Sequence, residues 1–116
     1  MKVYLAGPMS GYPEFNYPMF FAMAAKLRAQ GFEVVNPAEL CADLDGDWSA
    51  CMARTLPAVR GCDAIAMLYG WQNSKGARLE QEAAAARGIP TYSAYQLSGT
   101  RAGSLLALTI RGEVQA

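Results

Sequence analysis

Histidine is missing from all 116 residues, and with it go the Ser-His and Cys-His hydrolase mechanisms and the usual zinc-binding sets. Cysteine is scarce: Cys41, Cys51 and Cys62 are odd in number and about ten residues apart, with no Cys-x-x-Cys pair. That spacing argues against a disulfide framework and against a metal site, and it leads us to expect reduced, mostly buried thiols and a cytoplasmic location. No apolar run approaches the roughly 18–20 residues of a membrane span. The chain opens on a strand-like run, without a secretory pattern. Charge of one sign does not accumulate either. Lys and Arg number 10, as do Asp and Glu, so neither nucleic acid nor an anionic membrane is an expected partner. A local cluster of donors could still hold a small anion.

The chain is rich in apolar residues, at 53% against 17% charged, which favours one folded domain over disorder. Lys2–Ala6 reads as a strand, Gly7-Pro8-Met9-Ser10-Gly11 as a turn, and Tyr12–Tyr17 as a loop of prolines and aromatics. A helix should follow from Asn16 or Pro18 to Gln30, with Phe20, Phe21, Ala24 and Leu27 on its apolar face and Gly31 ending it. Phe32–Val35 is the second strand and Asp43–Asp47 an acidic loop. Trp48–Val59 is a helix that Pro57 should end or kink. Asp63–Tyr69 is the third strand, Ser74–Arg87 a helix, and Ile89–Ser93 a short fourth strand.

This alternation predicts a three-layer α/β domain of the Rossmann or flavodoxin type, a parallel sheet with helices on both faces. We expect a single domain over 1–116 with its core at about 2–93. Ligands of such sheets bind at the carboxyl ends of the strands, where the turns at Gly7–Gly11, Asn36–Asp47 and Tyr69–Gly76 should meet. The tail from Ser98 to Ala116 carries Leu105–Ile110, too apolar to stand in water. It should pack back on the domain or cover a partner subunit in a homodimer or larger assembly.

Within the helix after Ser74, Gly76, Leu79, Ala83 and Ala86 share a stripe at about 100° per residue, and Glu80 borders it. Small residues around a carboxylate leave room for a ligand, so Glu80 is a candidate nucleophile; the alternative is a surface glutamate on an Ala-rich helix. The first turn offers the backbone N–H groups of Gly7, Ser10 and Gly11 and one hydroxyl. It is neither a dinucleotide fingerprint nor a Walker loop. With Ser74 and Gly76 it could hold a sugar or phosphate. Trp71 either stacks on a base or is an ordinary rim aromatic. Trp48 reads as a core or helix-start anchor. Tyr12, Phe15 and Tyr17 form either a lid or loop packing.

Tyr4-Leu5-Ala6-Gly7-Pro8, followed by Ser74-x-Gly76-x-x-x-Glu80 and Gly88-x-Pro90, resembles the nucleoside 2-deoxyribosyltransferase superfamily over residues 2–92. The match is to its short, phage-associated branch, described as a domain of unknown function. The resemblance implies that Glu80 attacks the anomeric carbon of a deoxyribosyl group, expels the base and forms a glycosyl ester that water or a second base resolves. No cofactor and no metal are expected. Tyr4 matches a site-lining tyrosine, and Ser74 matches a phosphate-binding serine of the deoxynucleotide N-glycosidases, where the transferases carry aspartate. Gly7, Pro8, Ser10, Gly11, Trp71 and Gly76 would complete the substrate site, and Ser104 would be lent to the neighbouring subunit. One position departs from the pattern. Thr55 stands where the family has an aspartate that helps protonate the leaving base, and Asp47 is the candidate substitute. A small-molecule nucleoside or 5′-nucleotide is thus the expected partner. A nucleotide-binding module that has lost the acid is the alternative. A phosphoreceiver-type signalling domain is disfavoured, since Gly7-Pro8 stands where its paired acids belong.

Overall fold

Four parallel strands in the order β2-β1-β3-β4 form the centre of the protein, seen in a computed structural model that describes residues 1–101. They are β1 (Lys2–Ala6), β2 (Glu33–Val35), β3 (Ala64–Met67) and β4 (Thr91–Ser93). Each strand lies within the run read from sequence, and outer residues of those runs still bond to the sheet, Asp63 N donating to Lys2 O at 2.7 Å and Leu68 N to Ala6 O at 2.8 Å. In register, Tyr4 faces Val35 on one side and Ile65 on the other. The helices are α1 (Tyr17–Ala29), α2 (Pro37–Leu40), α3 (Trp48–Arg60), α4 (Lys75–Ala86) and α5 (Ala94–Leu97). The expected α/β class and doubly covered parallel sheet are present.

Alternation along β1 sorts its side chains into the two cores. Val3 and Leu5 pack with Phe20, Met23 and Leu27 of α1 and Leu97 of α5. Tyr4 and Ala6 pack with Val59 of α3, Ile65, and Ala84 of α4. Tyr4 therefore points into the layer that holds Glu80. Gly7 lets β1 run close to the end of β3: a Cβ there would lie 2.7 Å from Leu68 Cβ.

Several local expectations need correction. Phe21 is 46% exposed and Met23 takes its place in the core, because α1 turns the Phe20–Met23–Ala24–Leu27 line to the sheet. Helix α3 continues through Pro57 to Arg60. Both Pro57 and Ala53, whose carbonyl loses its intrahelical donor, are exposed, so water can satisfy that group. Before α1, Glu14, Phe15 and Asn16 take φ of 52°, 55° and 61°, a left-handed run that the Asn16 side-chain amide helps hold by donating to Pro8 O at 3.0 Å. The segment Leu105–Ile110 lies outside the described residues.

The largest correction concerns the thiols. Cys41 and Cys51 are joined in a disulfide, with Cα atoms 5.4 Å apart; Cys62 is free and buried. The intervening chain turns back through a short 3₁₀ segment and two left-handed residues, Asp45 at φ 51° and Gly46 at φ 80°. Spacing alone does not reveal that turn. The reduced-thiol argument for a cytoplasmic location falls with the expectation it rested on. Closing a loop of this size restricts the unfolded chain, so Cys51→Ser should lower stability by about 2–3 kcal/mol. Urea unfolding with and without dithiothreitol checks it: the difference from the parent should vanish in reductant.

Candidate functional site

Helix α4 begins where the Ser74 side chain accepts from Ala77 N at 3.2 Å, the N-cap expected from sequence. Its buried line is Ala77, Glu80 and Ala84, whereas Ala86 is exposed. Glu80 is thus at the centre of the inward face and not at its border. An Ala-rich helix has weak rotational preference, and packing of Glu80 against Tyr4 sets its rotation. The surface-glutamate alternative is excluded, because Glu80 is only 6% exposed.

Tyr4 Oη donates to Glu80 Oε2 at 2.6 Å in a buried setting. Thr55 of α3 is fully buried beside this pair, at the position where the resemblance would place an acid. Burial pushes the Glu80 carboxyl up to about 7, and the Tyr4 and Thr55 hydroxyls only partly offset this by favouring the carboxylate. Burial, and then the neighbouring carboxylate, hold the Tyr4 phenol well above its ordinary range. Tyr4 therefore stays protonated and acts as a fixed donor, while the carboxyl exchanges its proton near neutrality.

Glu80 opens on a cavity of about 50 Å³ whose walls include Gly7, Ser10, Trp48, Met52, Ser74 and Gly76. A second space of about 150 Å³ adjoins it, lined by Pro8, Tyr12, Asn73, Ser74 and Lys75. A third, of about 50 Å³, is walled by Phe15, Tyr17, Leu44, Asp47 and the disulfide. Ser10 and Trp48 line all three. The carboxyl thus lies between a polar compartment with a lysine and an aromatic compartment with an aspartate. All of them gather at the carboxyl ends of β1 and β3, where the strand order reverses, as such sheets arrange.

Among the residues singled out from sequence, Glu80, Tyr4, Gly7, Pro8, Ser10, Ser74 and Gly76 come together here. Asp47 does not reach Glu80's cavity; it caps α3 by accepting from Ala50 N at 3.0 Å and faces the aromatic compartment. Trp71 lies across the 69–73 loop, in a separate groove of about 330 Å³ beside β4. Gly11 is exposed, with φ 84°, and serves the turn. Ser104 lies outside the described residues. No cluster of metal-binding side chains occurs among the described residues, and no described helix is long and apolar enough to cross a membrane.

Trp48 is the main site residue that sequence reading missed. It is 40% exposed, and its Nε1 lies 3.2 Å from where a Gly76 Cβ would be. Lys75 Nζ sits 5.1 Å from the centre of its ring. Gly76 is small because the indole occupies its flank. The available signal was the Asp47-Trp48 pair opening a helix, but only the packing of α3 on α4 brings it to Gly76.

No curated protein and no solved structure gives a significant match to this chain. A family match does extend from the start of the chain into β4, taking in the strands, α3, α4 and every cavity wall around Glu80. Over residues 1–92 the chain belongs to the family described as Domain of unknown function (DUF4406).

Proposed function

We propose that this protein cleaves the N-glycosidic bond of a deoxynucleoside or its 5′-monophosphate, by hydrolysis or transfer, with Glu80 as nucleophile. The observation that carries the reading is the buried Glu80 carboxyl, fixed by Tyr4 Oη at 2.6 Å and open to a cavity on its other side. A nucleophile needs one oriented oxygen free, and this arrangement leaves one. The resemblance to the nucleoside 2-deoxyribosyltransferase superfamily supplies the bond type. In this reading the sugar lies at Glu80, the base toward Phe15, Tyr17 and Trp48, and the phosphate toward Ser74 and Lys75, a pose supported by the aromatic and lysine-bearing linings. Asp47 faces the aromatic compartment and is the residue that this reading assigns to assist the leaving base. Incubation with a panel of deoxynucleosides and their monophosphates, followed by chromatography for free base, tests the proposal. Absence of base release across the panel would reject it.

A second reading has its own observation. Thr55 cannot ionise, and the Asp47 carboxylate is engaged as a helix cap, so a module that binds nucleotides without cleaving them fits the same walls. Tight binding with no turnover would select it. Under either reading the phosphate compartment should make deoxyadenosine 5′-monophosphate bind at least about tenfold more tightly than deoxyadenosine, a difference of about 1.4 kcal/mol. Isothermal titration of both ligands measures this, and preference for the bare nucleoside contradicts it.

We also propose a homodimer or larger assembly. Met19 and Phe21 stand exposed on α1, and the sequence adds the apolar run Leu105–Ile110. Such surfaces are commonly covered by a second copy. Light scattering coupled to size exclusion should give at least twice the 12.5 kDa chain mass, and a monomer at micromolar concentration rejects the assembly.

A further inference from the structure

The Cys41–Cys51 bond is part of the site wall, and its two sulfurs are not equivalent. Cys51 is partly exposed and lines both the Glu80 cavity and the aromatic compartment. Cys41 is 3% exposed and borders the aromatic compartment alone. We propose that this disulfide is a thiol-exchange site entered through the Glu80 cavity, with Cys51 Sγ as the atom attacked by a small thiol.

The chemistry balances with such a thiol as reductant. Its thiolate bonds to Cys51 Sγ, the Cys41–Cys51 bond breaks, and the electron pair leaves on Cys41 Sγ, which takes up a proton. A second thiol attacks the adduct sulfur and frees Cys51. In total two external thiols are oxidised to one disulfide and the protein gains two thiols. Size selects the reagent. The Glu80 cavity through which Cys51 is reached holds about 50 Å³, room for a short thiol and not for one carried in the middle of a tripeptide. Cys62 does not compete: it is buried, its Sγ donates to Ala58 O at 3.4 Å, and burial pushes its thiol up to about 11.

The bond also has leverage on the site. Cys41 follows α2, and Cys51 lies in the first turn of α3, between the cavity residues Trp48 and Met52. Opening it releases the segment that carries Leu44 and Asp47, so occupancy of the cavity and exchange at Cys51 should oppose one another. This last coupling rests on the ligand class proposed above.

The test uses the air-oxidised full-length chain under native conditions. It is treated with cysteamine or with glutathione, quenched in acid and mapped by peptide mass spectrometry. We expect a cysteamine adduct on Cys51 with Cys41 free, formed at least tenfold faster than the glutathione adduct and slowed at least tenfold by saturating deoxyadenosine 5′-monophosphate. An adduct on Cys41, no adduct, equal rates for the two thiols, or three alkylatable thiols in the untreated denatured chain overturns the proposal. An adduct on Cys51 that the nucleotide does not slow upholds the exchange site and counts against the deoxynucleotide reading instead.

Discussion

Replacing Glu80 with glutamine is expected to lower base release by at least about 10³-fold while leaving deoxynucleotide binding within a few-fold of the parent. The amide keeps the carboxyl's shape and can still accept from Tyr4 Oη, now 2.6 Å from Oε2, but it cannot form the glycosyl ester. Single-turnover assays give the rate and calorimetry gives the affinity. Loss of both together would make Glu80 a binding group and not a nucleophile. Unchanged turnover would remove it from the chemistry altogether. In the parent, the nucleophile must be ionised, and a carboxyl pushed up to about 7 predicts that kcat/KM rises through that pH.

The same substitution should stabilise the fold, and in one direction of pH only. The Glu80 carboxyl has an ordinary value of 4.5 and a folded value of about 7. Between those values the folded chain holds a proton that the unfolded chain has lost, so parent stability falls as pH rises through the window. The contribution is fully present below pH 4.5 and gone above about 7. The span corresponds to about 3 kcal/mol, and at 6% exposure solvent screening takes little from it. Glu80→Gln removes this dependence. It should match the parent near pH 4 and exceed it by about 3 kcal/mol at pH 8. Urea unfolding at the two values measures the difference, and parallel stability curves for parent and variant would contradict the burial argument. Together the two results would separate a group kept for chemistry from one kept for packing, since only the former sacrifices stability at working pH.

Much of this arrangement is legible in the chain. Apolar runs such as Ala64–Met67 are buried throughout and announce central strands, and Ser74-x-Gly76-x-x-x-Glu80 places a cap, a gap and a carboxylate on one helix start. What escaped depends on how elements meet. The rotation of α4 is set by Tyr4 and Glu80 finding each other across 76 residues of sequence. The disulfide needs Asp45 and Gly46 to turn left-handed, and neither residue type requires this in advance. Trp48 becomes a wall of the site only because Gly76 yields to it. Phe21 reads as inward from sequence because apolar character alone does not distinguish a core position from an exposed one.

The attachment of Glu80 has a consequence for how this family can diversify. Its anchor, Tyr4, belongs to the central strand, paired on both sides by β2 and β3, while the aromatic and lysine-bearing compartments beside it are built largely from turns and helix starts. The carboxyl is thus referenced to the central sheet, and the surfaces around it sit on turns and helix starts, the more replaceable parts of such a fold. Descendants could exchange the Tyr12–Tyr17 strap or the 42–47 loop and acquire a new ligand range without re-aiming the carboxylate. Chemistry and selectivity are separately heritable in such a layout, and divergence should concentrate in the loops while the Tyr4–Glu80 pair stays fixed.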